Sequence, residues 1–528
     1  MTDLHSATLV TDLPRINARE QGDAIAYHFE GEDITFAEFD RRSDQVANGL
    51  IALGVKPGDR VATLAKNSAT FFEIMLGTMK AGAVIVPVNW KLAPPEVAWI
   101  TDDCEAEVLF LGPEFIDMLA RCRADIPRLR HIIGIEQALE GSPAYPAWRD
   151  AQDTAAPAAP PATVLDGILQ LYTSGTTGRP KGVVLAHRAL LRPDVDRTPG
   201  VRPEWMEWER SDVSLIAMPN FHISGAGYGI QSLSGGAKGV IMREFDPHTV
   251  LDVIEKFSIS KLFLVPAAIQ ICVNHPRARE IDYSRLKYMG YGASPIPLEL
   301  LRTAIDVFKC GFIQAYGMTE TSGTISSLAP EDHDPAGNKR MRSVGKPLPG
   351  VEMKVFAPDG RTCGADEIGE IAIRASANMN EYWKRPDATA ETVDKDGWLR
   401  TGDAGYKDAD GYFYMHDRLK DMIISGGENV YPAEVENAIY GHPAVADVAV
   451  IGVPDAKWGE AVKAFIVLHE GAEADESSII AWARERIAAF KSPKSVDFIA
   501  AMPRNPSGKI LRRELRAPYW EGMDRQIA

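Results

Sequence analysis

A chain of 528 residues is too long for one core, so two or more domains are expected. With 45% hydrophobic and 25% charged residues, its composition is that of an ordinary soluble globular protein. A net charge of −16 argues against nucleic acid or an anionic membrane as the main partner.

The first twenty residues have no basic region followed by a long apolar core, so no signal peptide is expected. No apolar run reaches the ~18 residues of a membrane span, which leaves only peripheral membrane contact open. Thr35-Phe36-Ala37-Glu38 is a capping box. It opens a helix in which Phe39, Val46, Leu50 and Leu53 recur at helical spacing, up to Gly54 and Pro57-Gly58. Arg60 to Leu64 is predicted as a strand, Phe71 to Lys80 as a helix, Ala83 to Val88 and Leu109 to Leu111 as strands. This alternation indicates an α/β unit with a largely parallel sheet. The Ala/Pro-rich stretch Ala151 to Thr163 is expected to be a loop between subdomains.

Tyr172 to Val183 reads YTSGTTGRPKGV. Glycines let backbone N–H groups close around an anion, hydroxyls add donors, and Lys181 adds a mobile positive charge. The string reads as a polyphosphate cradle. It lacks the G-x-x-x-x-G-K-[ST] pattern of the P-loop. Its flanks, Gly167 to Thr173 and Val183 to Leu185, are predicted strands, so the loop joins strand to strand.

The α/β pattern then repeats, with strands at Lys261 to Val265 and Lys287 to Met289 and a helix at Leu298 to Phe308. After Gly345 the texture is of short strands and Asp-Gly turns, fitting a small β-barrel or sheet. From Asp421 a compact α+β segment is expected. It holds a helix from Pro432 to about Ile439, a strand from Val445 to Val453, a helix from Ser478 to Ala489 and a strand from Ser495 to Ile499. The expected domains are residues 1–417 and 421–528, joined at 418–420. The five cysteines (Cys104, Cys122, Cys272, Cys310, Cys363) form no CxxC pair. Free thiols in a reducing, cytoplasmic setting are expected.

Tyr316-Gly317-Met318-Thr319-Glu320 combines an aromatic plate, a close-approach glycine, a hydroxyl and a carboxylate. That set suits a stacked base, a phosphate and a Mg²⁺ ion. Thr401-Gly402-Asp403 puts a carboxylate in a tight turn, with Arg418 shortly after, and Pro506-Ser507-Gly508-Lys509 puts a lone lysine in a turn near the C-terminus. Each alone has a bland reading, such as helix cap, turn former or solvated lysine.

In order along nearly the whole chain, YTSGTTGRPKG, YGASP, YGMTE, TGD, DRLKDMIISGGENVYP and PSGK resemble the acyl-adenylate-forming superfamily, most closely its acyl-CoA synthetases. The resemblance implies a large α/β domain of two α/β subdomains plus a small β-barrel-like subdomain, and a mobile α+β C-terminal domain on a hinge. It also implies ATP, Mg²⁺ and coenzyme A. Thr173, Ser174, Gly175, Thr176, Thr177, Gly178 and Lys181 would hold the β- and γ-phosphates, with Thr176 also catalytic. Gly292, Ala293 and Ser294 would line the adenine side, with Tyr316 stacked on the ring and Gly317 beside it. Thr319 would touch the α-phosphate, Glu320 would bind Mg²⁺, and Asp403 and Arg418 would hold the ribose. Lys509 would bridge the acid carboxylate and the α-phosphate. Lys420 matches the hinge, and Gly426 and Gly427 would lie beside the pantetheine arm.

His222 stands where the resemblance puts a histidine near the acyl carboxylate and the thiol channel. Amino-acid-activating relatives usually carry aspartate there, which disfavours an amino-acid substrate. The acyl pocket is expected around His222, Gly225, Ala226, Tyr228, Tyr291 and Ile325. The small residues there favour a medium or long fatty acid, with an aryl or phenylpropanoid acid as alternative. Some long-chain synthetases place a gating tryptophan near Ala226, and none is present. A non-catalytic nucleotide-binding relative would be expected to lack Lys181, Glu320 or Lys509. The sequence leaves a homodimer open.

Overall fold

The computed structural model describes residues 3–173, 180–192, 195, 202–418, 421–425, 428–455, 457–504 and 509–521. The capping box forms as expected. Thr35 Oγ1 accepts from the Glu38 amide at 3.2 Å and opens the helix Phe36–Ala52. Ser68 does the same for Ala69–Lys80, accepting from the Phe71 amide.

Among the described residues, four sheets carry the fold. A seven-stranded sheet has the order 381–382, 181–186, 167–173, 84–87, 60–64, 108–111, 131–134. Its strands from 60–64 to 131–134 run parallel, and the 167–173 and 181–186 pair is antiparallel. A nine-stranded sheet has the order 346–347, 323–328, 311–318, 288–292, 261–264, 213–216, 238–241, 25–29, 32–35. The first strands of the chain therefore sit at the far edge of the second sheet. One continuous core joins the two sheets, with Tyr27 stacked on Phe72 at 4.9 Å.

The loop at 151–163 does not separate subdomains as expected. The strand Gly167–Thr173 that follows it pairs with Val84–Pro87, so both flanks serve one sheet. After Gly345 the strands Val351–Phe356, Gly369–Ala375, Leu399–Lys407 and Phe413–Arg418 form a four-stranded antiparallel sheet. Their chain leaves that sheet once, and Glu381–Tyr382 adds an edge strand beside Val183 and Val184.

The C-terminal sheet pairs Ile423–Ser425, Glu428–Val430, Val445–Asp455, Gly459–Leu468 and Ser495–Phe498. The helix expected at 478–489 runs Glu476–Arg484 instead, because Asp475 caps it by accepting from the Ser478 amide at 2.8 Å. Lys420 lies outside the described residues. All five cysteines are free thiols. No helix among the described residues is long and apolar enough to cross a membrane.

Candidate active site

The antiparallel strands Gly167–Thr173 and Lys181–Ala186 end with Thr173 opposite Lys181. Ser174, Gly175, Thr176, Thr177 and Gly178 lie outside the described residues, but both anchors, Thr173 and Lys181, line a cleft of about 1960 Å³. Lys181 Nζ stands 4.5 Å from the centre of the Tyr382 ring. The Tyr382 hydroxyl donates to Glu320 Oε1 at 2.8 Å, and both residues are buried. Tyr382 thus joins the cradle lysine to the expected metal carboxylate.

Backbone bonds hold this arrangement from both sides. The Met379 amide donates to the Glu320 carbonyl and the Trp383 amide to the Gly182 carbonyl, each at 2.7 Å. Sequence reasoning missed Tyr382, because a two-residue strand has no periodicity to read. The neighbouring Trp383 packs. Its ring lies under the Arg60 guanidinium at 3.3 Å and its Nε1 donates to the Asp103 carbonyl.

Thr319 and Glu320 occupy a 3₁₀ turn after the strand Gly311–Met318. Thr321 fixes the turn: its Oγ1 accepts from the Met318 amide at 3.1 Å and lies 2.9 Å from the Gly323 carbonyl. Glycine is required at Gly317 and Gly292. A Cβ on the first would collide with the Gly323 carbonyl, and on the second with that of Ala315. Gly317, Thr319 and Ala293 line the cleft, whereas Ser294 faces a small cavity between the two domains. Among the described residues no three metal-ligating side chains cluster. A single carboxylate suits Mg²⁺, which keeps waters and takes phosphate oxygens for its other ligands. The residues therefore fit the ion.

On the ribose side Asp403 is buried and accepts from the Tyr316 hydroxyl at 2.7 Å. In the strand register Asp403 is paired with Arg418. Tyr316 keeps 7% of its surface and packs in the core of the four-stranded sheet, while Thr401, Gly402 and Glu370 form the rim that lines the cleft. Gly426 and Gly427 lie outside the described residues. Lys509, from the small domain, lines the same cleft as Lys181 and Glu320 and also borders the interdomain cavity.

His222 caps the helix Ile223–Ser234 and lines the cleft. Its Nε2 is buried without a hydrogen-bond partner among the described residues. Burial first, and the charge of Lys91 second, push its pKa down to about 4, so the ring is neutral near pH 7. A neutral imidazole with one open nitrogen suits a polar ligand atom.

The expected acyl pocket needs correction. Ala226 is fully buried in the core, and a Cβ on Gly225 would collide with the carbonyls of Pro219 and Met218. Tyr291 is buried with its hydroxyl 3.0 Å from His333 Nε2, and Ile325 is buried in the small sheet's core. The 3.6-residue period turns the other face of the helix to the cleft, so Ile223, Ser224, Gly227, Tyr228 and Gln231 line it. His222 and Tyr228 keep their expected place.

Residues 15–383 match the AMP-binding enzyme family, and residues 434–509 its C-terminal domain. The chain is 40% identical to the fatty acid–[acyl-carrier-protein] ligase ScoC of Streptomyces coeruleorubidus, over 100% of both chains. It is 39% identical to the feruloyl-CoA synthase of an Amycolatopsis species, over 96% of this chain and 98% of that one. The solved anthranilate CoA ligase AuaEII, in complex with anthranoyl-AMP, superposes with a TM-score of 0.89 at 30% identity, covering 97% of each chain. The chain belongs to the AMP-binding enzyme family, in its acyl-CoA synthetase branch, and is an AMP-forming acid–thiol ligase that works with ATP, Mg²⁺ and coenzyme A.

Proposed function

We propose that the cleft activates a carboxylic acid held along the helix Ile223–Ser234, with its carboxylate near His222 and Lys509. The observation that carries this reading is the meeting of Lys181, Glu320 and Lys509 in one cleft, the last from a different domain. The carboxylate oxygen attacks the α-phosphorus of ATP, a P–O bond forms, and the bond to the departing pyrophosphate breaks. Two anions must approach, so cations between them lower the barrier. Lys181 neutralises the β- and γ-phosphates from the end of its strand. Lys509 is placed to bridge the carboxylate and the α-phosphate. Glu320, oriented by Tyr382, would hold Mg²⁺, which would supply positive charge at the phosphates. Asp403, the ladder partner of Arg418, lies next to the rim residue Gly402 that would take the ribose.

In the second half-reaction a thiolate attacks the acyl carbon, and the carbon–oxygen bond to AMP breaks. Lys509 and the incoming thiol would need nearly the same space. A turn about Lys420 would withdraw the lysine and bring Gly426 and Gly427 to the pantetheine arm.

For the acid, the slot walls favour a flat aryl or arylacrylic group. Gly227 and Gly290 both line it, with Tyr228 and Phe263 as aromatic walls. A medium-chain fatty acid is the second reading, since the same glycines admit a slender chain, and ScoC is by name a fatty-acid ligase.

ATP–pyrophosphate exchange tests the proposal over acetate, octanoate, palmitate, benzoate and coumarate. Exchange should require one of these acids. Lys509→Ala should lose it by roughly 10²-fold or more, while still making thioester from supplied acyl-AMP and coenzyme A. Equal damage to both half-reactions would remove the role given to Lys509.

A further inference from the structure

The cleft continues past His222 and follows the open face of the helix downward. Tyr228 is six residues beyond the cap, about 9 Å down at the helical rise. The parallel strand Lys261–Leu264 has its C-terminal end towards the catalytic groups, and Lys261 lies three residues lower, about 10 Å at the rise of a strand.

Against the Tyr228 ring stands Trp208. Its ring meets Tyr228 edge-on, with centroids 5.5 Å apart and planes at 71°. Lys261 Nζ lies 4.9 Å from the centre of the indole. Lys261 is itself buried and fixed. Asp212 Oδ2 is 3.1 Å from its Nζ, the Glu207 carbonyl accepts from it, and Lys287 holds the other Asp212 oxygen at 3.0 Å. On the opposite side Trp208 presses on the end of the helix, where a Cβ on Gly235 would collide with it. The indole is therefore seated on an ion pair, bounded by Tyr228 and backed by backbone.

We infer that Trp208 is the floor of the acid slot and sets the length of acyl group that the enzyme accepts. The inference rests on the reading above, that the carboxylate lies near His222. Tyr228, whose ring the indole meets, lies about 9 Å along the helix from His222, a length that coumarate or octanoate fills and palmitate exceeds.

The test is ATP–pyrophosphate exchange by the full chain and by Trp208→Ala and Trp208→Leu, with octanoate, coumarate and palmitate. The wild type should favour octanoate and coumarate. Removing the indole should raise the palmitate-to-octanoate ratio of kcat/KM by at least about tenfold, mainly through the palmitate KM, which is the scale on which an apolar pocket discriminates methylenes. Trp208→Leu, a milder truncation, should shift the ratio the same way and covers a fold defect in the alanine variant. A wild type that activates palmitate as well as octanoate overturns the floor. So does an unchanged ratio in either variant with a wild-type melting curve. A wild type that exchanges with no acid overturns the functional reading, and the floor falls with it.

Discussion

Tyr382 shows how one side chain can serve two charges of opposite sign. Its hydroxyl satisfies one oxygen of Glu320, and its ring lies beneath the Lys181 ammonium. Glu320 itself lines the cleft. A hydrogen bond behind a metal-binding carboxylate typically changes metal affinity ten- to a hundredfold. Tyr382→Phe keeps the ring and removes the donor. It should raise the half-saturating Mg²⁺ concentration by roughly tenfold. It should also weaken calorimetric ATP binding only when Mg²⁺ is present. An unchanged Mg²⁺ requirement would reduce Tyr382 to packing.

Among the elements, the helix Ile223–Ser234 teaches most about what a sequence conceals. The small residues Ser224, Gly225, Ala226 and Gly227 are legible as room for something. Which of them faces the room is a matter of phase, and phase is set by how the helix packs on its sheet. Gly225 and Ala226 turn inward against Pro219 and the core, and Gly227 turns outward. Ala226→Trp should therefore overpack the core and lower the melting temperature, by about 1–3 kcal/mol or more of stability. Gly227→Val should melt near the wild type yet lose roughly tenfold in kcat/KM for coumarate relative to acetate. The opposite pattern would return the slot to the Ala226 face.

Elements with strong alternation or clear caps were readable, as at Thr35 and in the strands flanking the cradle. Gly459–Leu468, the centre of the C-terminal sheet, was not, because charged Glu460 and Lys463 are buried within it. Lys463 pairs with Asp497 of the neighbouring strand at 2.8 Å, a partnership that local sequence does not announce. Most of the site's residue types were legible from their motifs. Tyr382 and Trp208 were not, because each reaches the cleft from a segment with no motif of its own.

At the scale of the whole molecule, the small domain is held against the large one by identifiable polar bonds. Gln270 Nε2 donates to the Tyr440 hydroxyl at 2.8 Å and to the Ala446 carbonyl at 3.0 Å. These bonds stand in the seam that brings Lys509 to the cleft, beside a cavity of about 100 Å³. Two such bonds contribute about 1–3 kcal/mol, enough to bias a domain equilibrium without locking it. Gln270→Leu should slow acyl-AMP formation several-fold, roughly tenfold at most, and leave thioester formation from supplied acyl-AMP intact or faster. Single-turnover measurement of each half-reaction decides this, and two unchanged rates would leave the seam without influence.

The strands Ile25–Phe29 and Glu32–Thr35 close the edge of a sheet whose adjoining strand is Lys238–Ile241. On the ribosome, that hairpin emerges about 200 residues before its partner, a delay of about ten to forty seconds at ordinary rates of translation. Throughout this interval Tyr27, destined for the centre of the core, has neither sheet nor Phe72's finished surroundings to cover it. The interleaving of the two sheets thus turns a feature of the finished fold into a problem of biosynthesis. The nascent hairpin must stay pairing-competent without finding the wrong edge, and the large domain cannot be completed in the order in which it is made.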